Sequence, residues 1–569
     1  MKFFRKIADK TAGALLLLAV ALAALKFGTV AAVPEMPVIF PENLTGFLLT
    51  GLPQSVFGIV SAVVLLLEVL ATKRVSFDGK SGKIALLFGF AIPLAAFLGA
   101  VASPLGWIVR DYLGYFFSCG AFAVATKFYI GNDEKKVRFL FAATGVAALL
   151  VSVAAIEQYF FGFARMRAFI ASEMARGVSF SAPMLAKIAD DRVFATMTNA
   201  NVLAGFLLLT SPLGVVGAAK FGEKIFSDAR SGKICAGFAA FLFGAVFLLT
   251  KTRGAFLAAL LTFALAVWLA PLKKTLKIAA TALLVAAICA GACYIKICGR
   301  GFSSAAERMS YLETSCRITA HSPLTGGGWG SFFLDHMKYK TTSTDETPRD
   351  PHNVIVSFLA QCGAAGALAV ISAMLLTLVF LRRMKNLDAW HGALFFGSAA
   401  FLLHSMVELN HLVPASWGLF GILAVAGTTS QKEIPPTGKM IFFNFLFAFI
   451  LGLCTLTLSL QLLRRDYTYS RYCEVVARQN LQEEKTWRCA AFAAATDAPF
   501  IREKAGDAAW RRHDVAAAES FWREAWRLSP TRPSLCRRLA AVAALRGDQE
   551  EVQMWQLKAR ELFPGDPKR

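Results

Sequence analysis

Charge is what this chain has least of. Only 17% of its 569 residues are Asp, Glu, Lys or Arg, against roughly a quarter in an ordinary soluble protein. Few soluble domains look like that. Acids are the scarcer sign, 38 against 60 bases. Cysteine occurs eleven times but never at CxxC or CxxH spacing, which argues against a structural zinc site. The glycine run Gly326–Gly328 lacks the GK[ST] ending of a nucleotide loop, so a turn after Pro323 is its default reading. HExxH, GxSxG and paired metal-type acids are all missing, which leaves no sign of a metallohydrolase or a serine hydrolase. Acids within the apolar stretches are few, and the two halves do not repeat. Both absences count against a transporter, which places charged groups and broken helices at mid-membrane in repeated halves.

What the chain does have is length of apolar run. It is 56% hydrophobic with a mean hydropathy of +0.53. Stretches of about 20 apolar residues read as transmembrane helices. Thirteen are expected, at 11–33, 47–71, 83–102, 106–126, 137–157, 194–219, 234–250, 254–270, 278–297, 353–381, 391–409, 413–428 and 440–463. In lipid every backbone polar group must be satisfied internally, so the expected fold is an all-α helical bundle. The first stretch follows Lys2, Arg5 and Lys6 and has signal-peptide features; its continuing apolar run favours an uncleaved helix. Either reading leaves residue 34 outside.

Clustered Lys and Arg mark cytoplasmic loops. The loops 72–83, 127–138, 220–233, 271–277, 382–390 and 429–439 carry them and alternate with the spans. The N-terminus is then inside, and loops 158–193 and 298–352 are outside. Thirteen crossings put the tail outside too, although Arg464 and Arg465 directly follow the last span, against the rule. Cys298 and Cys316 share the large outer loop. They either pair in an oxidising compartment or never meet.

From residue 464 the composition turns charged and alanine-rich, so 464–569 reads as a separate soluble domain. Asp514/Asp548, Ala525/Ala559, Leu528/Leu562 and Pro530/Pro564 recur 34 positions apart, the tetratricopeptide period. Two clear repeats are few for a solenoid. The tail is either a docking surface for a partner or acceptor, or a helical cap that leans on the membrane domain.

The outer face should be poor in positive charge, and it is not. Arg110, Arg165, Arg167, Arg176, Lys187, Arg192, Lys251, Arg253 and Arg308 fall there. A single such arginine is adequately explained by snorkelling to headgroups. The cluster points to an anionic ligand, and the planar guanidinium suits phosphate. Arg253 begins a helix, where backbone N–H groups also attract negative charge, and Gly254 and Ala255 allow close helix approach. His352, between Pro351 and Asn353, opens the tenth span, and an ordinary pKa of about 6.5 suits proton transfer. The bland alternative is an interfacial histidine facing water. His404 and His411 fit that alternative better, with Glu408 between them as an acceptor for either.

Three separated segments resemble the O-antigen ligase and polymerase superfamily. RVFATMTNANVLAGFLLLTSPL (192–213) is similar to its Arg–Asn–helix stretch. TKTRGAF (250–256) is similar to its [ST]xSRGA segment, with Thr252 where serine is common. HSPLTGGGWGSF, followed by HNVIVSFLAQCGAAG, resembles its PLTGxGxGxF and HNxxLxxLxExG signature, with Val356 for Leu and Gln361 for Glu. The resemblance covers roughly 100–430.

It implies a metal-independent, inverting glycan transferase with no cofactor, in the bacterial inner membrane with its active face periplasmic. The donor would be a glycan on undecaprenyl pyrophosphate, and the acceptor lipid A core or a protein. Arg253 and Arg192 would neutralise the pyrophosphate, with Lys251, Arg308, Asn201 and Asn353 among the substrate contacts. His352 would deprotonate or orient the acceptor hydroxyl. Ligase is the leading reading. Polymerase and protein O-oligosaccharyltransferase are alternatives within the superfamily, and a lipid-linked glycan flippase is one from another class.

Overall fold

The structure is a computed structural model describing residues 2–562, apart from 42, 72–74, 179, 181, 298–302, 340–347, 384–387 and 430–437. Cys298, and with it the Cys298–Cys316 question, lies outside the described residues, as do Pro564 and parts of the loops 72–83, 382–390 and 429–439.

Every regular element among the described residues is helical, so the fold is the all-α bundle that the composition requires. Among the described residues, seven helices are long and apolar enough to cross a membrane: Lys80–Ala102, Gly106–Ile130, Glu134–Ala175, Ala200–Phe226, Ala229–Leu249, Val354–Arg382 and Met440–Ala477. Gln54–Leu70, Arg253–Leu269 and Pro414–Gly427 are shorter apolar helices beside them. The protein is a polytopic helical membrane protein.

Each of the thirteen expected spans contains a helix, but several bounds differ. The first helix is Lys2–Ala21, followed only by Ala23–Lys26. The 47–71 stretch breaks into Leu44–Leu49 and Gln54–Leu70, because Pro53 has no N–H to continue a helix and instead precedes the second one. The span expected from 194 starts at Ala200. There Asn199 Oδ1 accepts the Val202 N–H at 2.9 Å, a capping bond that fixes the start. The stretch 298–352, expected to be an outer loop, contains the helices Ser303–His321 and Phe332–Tyr339.

One of the two arginines that conflicted with the expected topology, Arg465, has buried partners. Arg465 is buried and makes a two-pronged ion pair with Asp111, at 2.6 and 2.7 Å, and a further one with Asp466 at 2.7 Å. It ties the last long helix to Gly106–Ile130, and a fully paired guanidinium carries little topological weight. That last helix runs from Gly438 to Ala477 without a break at 463.

Beyond it, Pro499–Arg511 packs on Val515–Leu528, and Pro533–Leu545 on Gln549–Leu562. Asp514 and Asp548 have matching roles: their carboxylates accept the N–H of Ala517 at 3.0 Å and of Glu551 at 2.9 Å. The first part of the tail shares the main apolar core, through Ala491, Ala495, Phe500 and Ile501.

The glycine run is a turn, as expected, and it docks on the helix that follows. Gly327 N donates to Ala360 O at 2.8 Å. Gly328 has φ +93°, and a Cβ there would strike the Ser103 backbone. Gly363 has φ +68° inside Val354–Arg382, where a Cβ would strike the Leu324 backbone. Only glycine allows both the left-handed backbone and the close approach.

Candidate active site

Two helix N-termini line one cleft. They belong to Ala200–Phe226 and Arg253–Leu269, whose unsatisfied N–H groups and dipoles favour an anion between them. Arg192, the residue that links the two, comes from the irregular segment before Ala200. Gln158 fixes that segment: its Oε1 accepts from Phe194 N and Ala195 N, each at 2.8 Å.

The Arg192 guanidinium donates to Thr250 O at 2.9 Å, to Asn201 Oδ1 at 2.6 Å and to Thr252 Oγ1 at 3.2 Å. Asn201 Nδ2 donates to Glu408 Oε2 at 2.6 Å. The other carboxylate oxygen of Glu408 lies 3.2 Å from His352 Nδ1. A carboxylate only accepts, so Nδ1 carries the proton and Nε2 is left as the free ring nitrogen. One continuous chain of side chains therefore runs Arg192–Asn201–Glu408–His352.

The cleft itself is about 520 Å³, and its lining includes Arg192, Asn201, Lys251, Arg253, Arg308 and Glu408. Its charged groups are four cations against two acids, Asp190 and Glu408. Lys251 donates to Asp190 O at 2.9 Å. Arg253 is exposed at the first position of its helix and has no ion-pair partner among the described residues. Five of the seven sequence-expected site residues thus line one cleft. His352 reaches it through Glu408 rather than lining it. Asn353 lies outside the lining and caps its helix, its Oδ1 accepting from Ile355 N at 3.0 Å and Val356 N at 3.1 Å.

His352 is held in an unusual backbone, φ +56°. Asp350 accounts for it, accepting the His352 N–H at 3.0 Å. Asp350 is itself buried, bonded by Ser357 and by Gln361 at 3.2 Å, with His411 Nε2 at 3.4 Å. Gln361 also accepts from Gly330 N at 3.0 Å, which ties the glycine turn to the His352 support. The Tyr311 ring stacks on the imidazole at 6.0 Å. Burial alone would lower the His352 pKa; the hydrogen bond and charge of Glu408, with Asp350 behind, outweigh it and raise the pKa above its ordinary value.

Several residues stand where the sequence did not put them. His404 and His411 are buried rather than facing water. Glu408 bonds to His352 and Asn201, and neither His404 nor His411 is its hydrogen-bond donor. Arg165, Arg167 and Arg176 pair locally with Glu157, Asp191 and Glu173. Glu408, Thr252 and Asp350 were not expected at the site. Glu408 is 100 positions from the nearest sequence-expected cation, Arg308, measured along the chain, and a lone acid gives no pattern to read. Thr252 did carry a signal, since it lies between Lys251 and Arg253.

Residues 238–371 match the family described as O-antigen ligase. This segment supports the resemblance to the O-antigen ligase superfamily. No curated protein matches the chain by sequence. The matched O-antigen ligase segment is shorter than the 100–430 resemblance, but it contains Lys251, Arg253, Arg308, His352, Asn353 and Gln361. Arg192, Asn201 and Glu408 lie outside it and complete the cleft from the flanking segments. Members of the superfamily are glycan transferases of the ligase and polymerase type, which act on lipid-linked glycan donors.

Proposed function

We propose that the cleft binds the pyrophosphate of an undecaprenyl-pyrophosphate-linked glycan, and that the protein transfers the glycan to an envelope acceptor as an O-antigen ligase. The observation that carries this reading is the junction of a cation-rich cleft with a polarised histidine: Arg192, Lys251, Arg253 and Arg308 on one side and the Glu408–His352 pair on the other. The acceptor hydroxyl attacks the anomeric carbon, the bond to the pyrophosphate oxygen breaks, and the configuration inverts. His352 takes the hydroxyl proton at Nε2 while Glu408 stabilises the imidazolium. Charge grows on the pyrophosphate as it leaves. Fixed cations and helix N-termini therefore stabilise the transition state more than the ground state. Asn353 acts by starting the helix that positions His352. The donor is already activated, so the scheme needs no nucleotide and no metal. In this reading the protein lies in the bacterial inner membrane with the cleft on the periplasmic face, and the tail is a periplasmic tetratricopeptide-like domain.

The test is the length of undecaprenyl-linked glycan in cells lacking the protein. Long chains accumulating on the carrier support transfer to an acceptor. Carriers holding only single repeats make the protein a polymerase, and an unchanged carrier pool overturns both.

A further inference from the structure

A second cleft lies between the tail and the membrane helices, and its chemistry differs from the first. It measures about 260 Å³ and is lined by Trp107, Phe333, Glu35, Arg349, Thr531 and Arg532, among others. Trp107 comes from the start of Gly106–Ile130, Phe333 from the helix after the glycine turn, and Thr531 and Arg532 from the turn between two tail helix pairs. Arg349 is three positions before His352.

Both arginines here are paired. Arg349 forms a two-pronged pair with Glu35 at 3.1 Å for both contacts. Arg532 pairs with Glu503 at 3.0 Å and approaches Glu35 at 4.0 Å. A phosphate gains little from arginines whose charge is already matched. Fixed, paired donors and acceptors around an aromatic wall suit a neutral ligand with many hydroxyls.

Trp107 is 5% exposed and its indole nitrogen is closed off from the cleft, so the aromatic face open to a ligand is that of Phe333. Phe333 is half-buried and offers an apolar face for the C–H side of a pyranose ring.

We propose that this cleft is a monosaccharide subsite that holds a sugar of the acceptor, with the tail turn as one wall. The assignment to the acceptor rests on the transferase reading above; the sugar binding itself does not. Because Arg349 leads directly into His352, a sugar seated here belongs to the partner that approaches from the His352 side, while the cation-rich cleft takes the donor.

The experiment uses the purified full-length protein in detergent, with methyl glycosides of glucose, galactose and N-acetylglucosamine as probes in saturation-transfer NMR. At least one is expected to receive saturation at its ring protons. Thr531→Trp, which fills the cleft from a half-buried turn, should abolish the signal, and Phe333→Ala should weaken it. Inorganic pyrophosphate should not displace the probe. No binding of any glycoside by the unaltered protein overturns the subsite, as does undiminished binding in Thr531→Trp with its melting temperature retained. Displacement by pyrophosphate likewise overturns it, since the sugar would then sit in the first cleft. In transfer assays the acceptor KM of Thr531→Trp should rise about tenfold with the donor KM unchanged. An unchanged acceptor KM overturns the acceptor assignment. Sugar binding at this cleft in a protein that transfers no glycan supports the subsite and removes the transferase reading instead.

Discussion

Glu408 holds His352 through a 3.2 Å contact to Nδ1, although 56 residues separate them in the chain. The same carboxylate accepts from Asn201, so the histidine and the Arg192 cluster share one acid. That acid fixes which ring nitrogen is free and shifts the pH at which it becomes a base.

The pH profile of transfer should report this link. The His352 pKa is raised, so the imidazole stays protonated to a higher pH than an ordinary histidine and is an available base only above it. Transfer should rise with pH through an apparent pKa above about 6.5. Glu408→Gln removes the acceptor charge that raises it, so the rising limb should move to lower pH as kcat falls. An unmoved limb in that variant would assign the titration to another group.

Arg253 and Arg192 should fail differently. Arg253 is exposed, and no ion pair among the described residues ties it down. Arg253→Ala should lower kcat by about a hundredfold or more, as when a transition-state donor is lost, with an unchanged melting temperature. Arg192 bonds Thr250, Asn201 and Thr252, so Arg192→Ala should lose activity and stability together. Parallel kinetics and thermal melts of the two variants check this, and full activity in Arg253→Ala removes it from the mechanism.

Arg465 and Asp111 are buried partners at 2.6 and 2.7 Å. Removing Arg465 leaves the buried Asp111 charge unpaired, which costs about 3–5 kcal/mol, whereas removing Asp111 leaves Arg465 still paired with Asp466. Arg465→Ala should lower the unfolding midpoint markedly, and Asp111→Ala by less. The double replacement by apolar residues should recover much of the loss, and no recovery would show that the pair contributes through packing instead.

Gly363 tolerates no side chain. Its φ of +68° and its contact with the Leu324 backbone both exclude a Cβ. Gly363→Ala should destabilise by at least about 1–3 kcal/mol and separate the glycine turn from the helix that starts at Val354. Melting temperature and hydrogen exchange at Gly327 N, which donates to Ala360 O, would read both effects.

The Arg253 site was legible because its signals are local. A helix start after a polar turn, a run of cations on one short hairpin and a histidine beside a helix cap all sit within a few residues. The roles of Arg465, Gln361 and Glu408 were not legible, because each is defined by a partner far away in sequence. Arg465 looked like a topological anomaly until Asp111 was beside it. Gln361 looked like a neutral replacement, yet it joins Asp350, Ser357 and Gly330.

By itself the sequence determined that this is a helical membrane protein, because only helices satisfy the backbone of such long apolar stretches in lipid. It also determined where several helices begin, through Asn199, Pro53 and Asn353, since caps and prolines act within one turn. Tertiary structure alone decided which of the outer cations share a cleft and which are neutralised by nearby acids. It also decided that Glu408 joins His352 to Asn201, because side-chain pairing depends on distances between helices that no local pattern encodes.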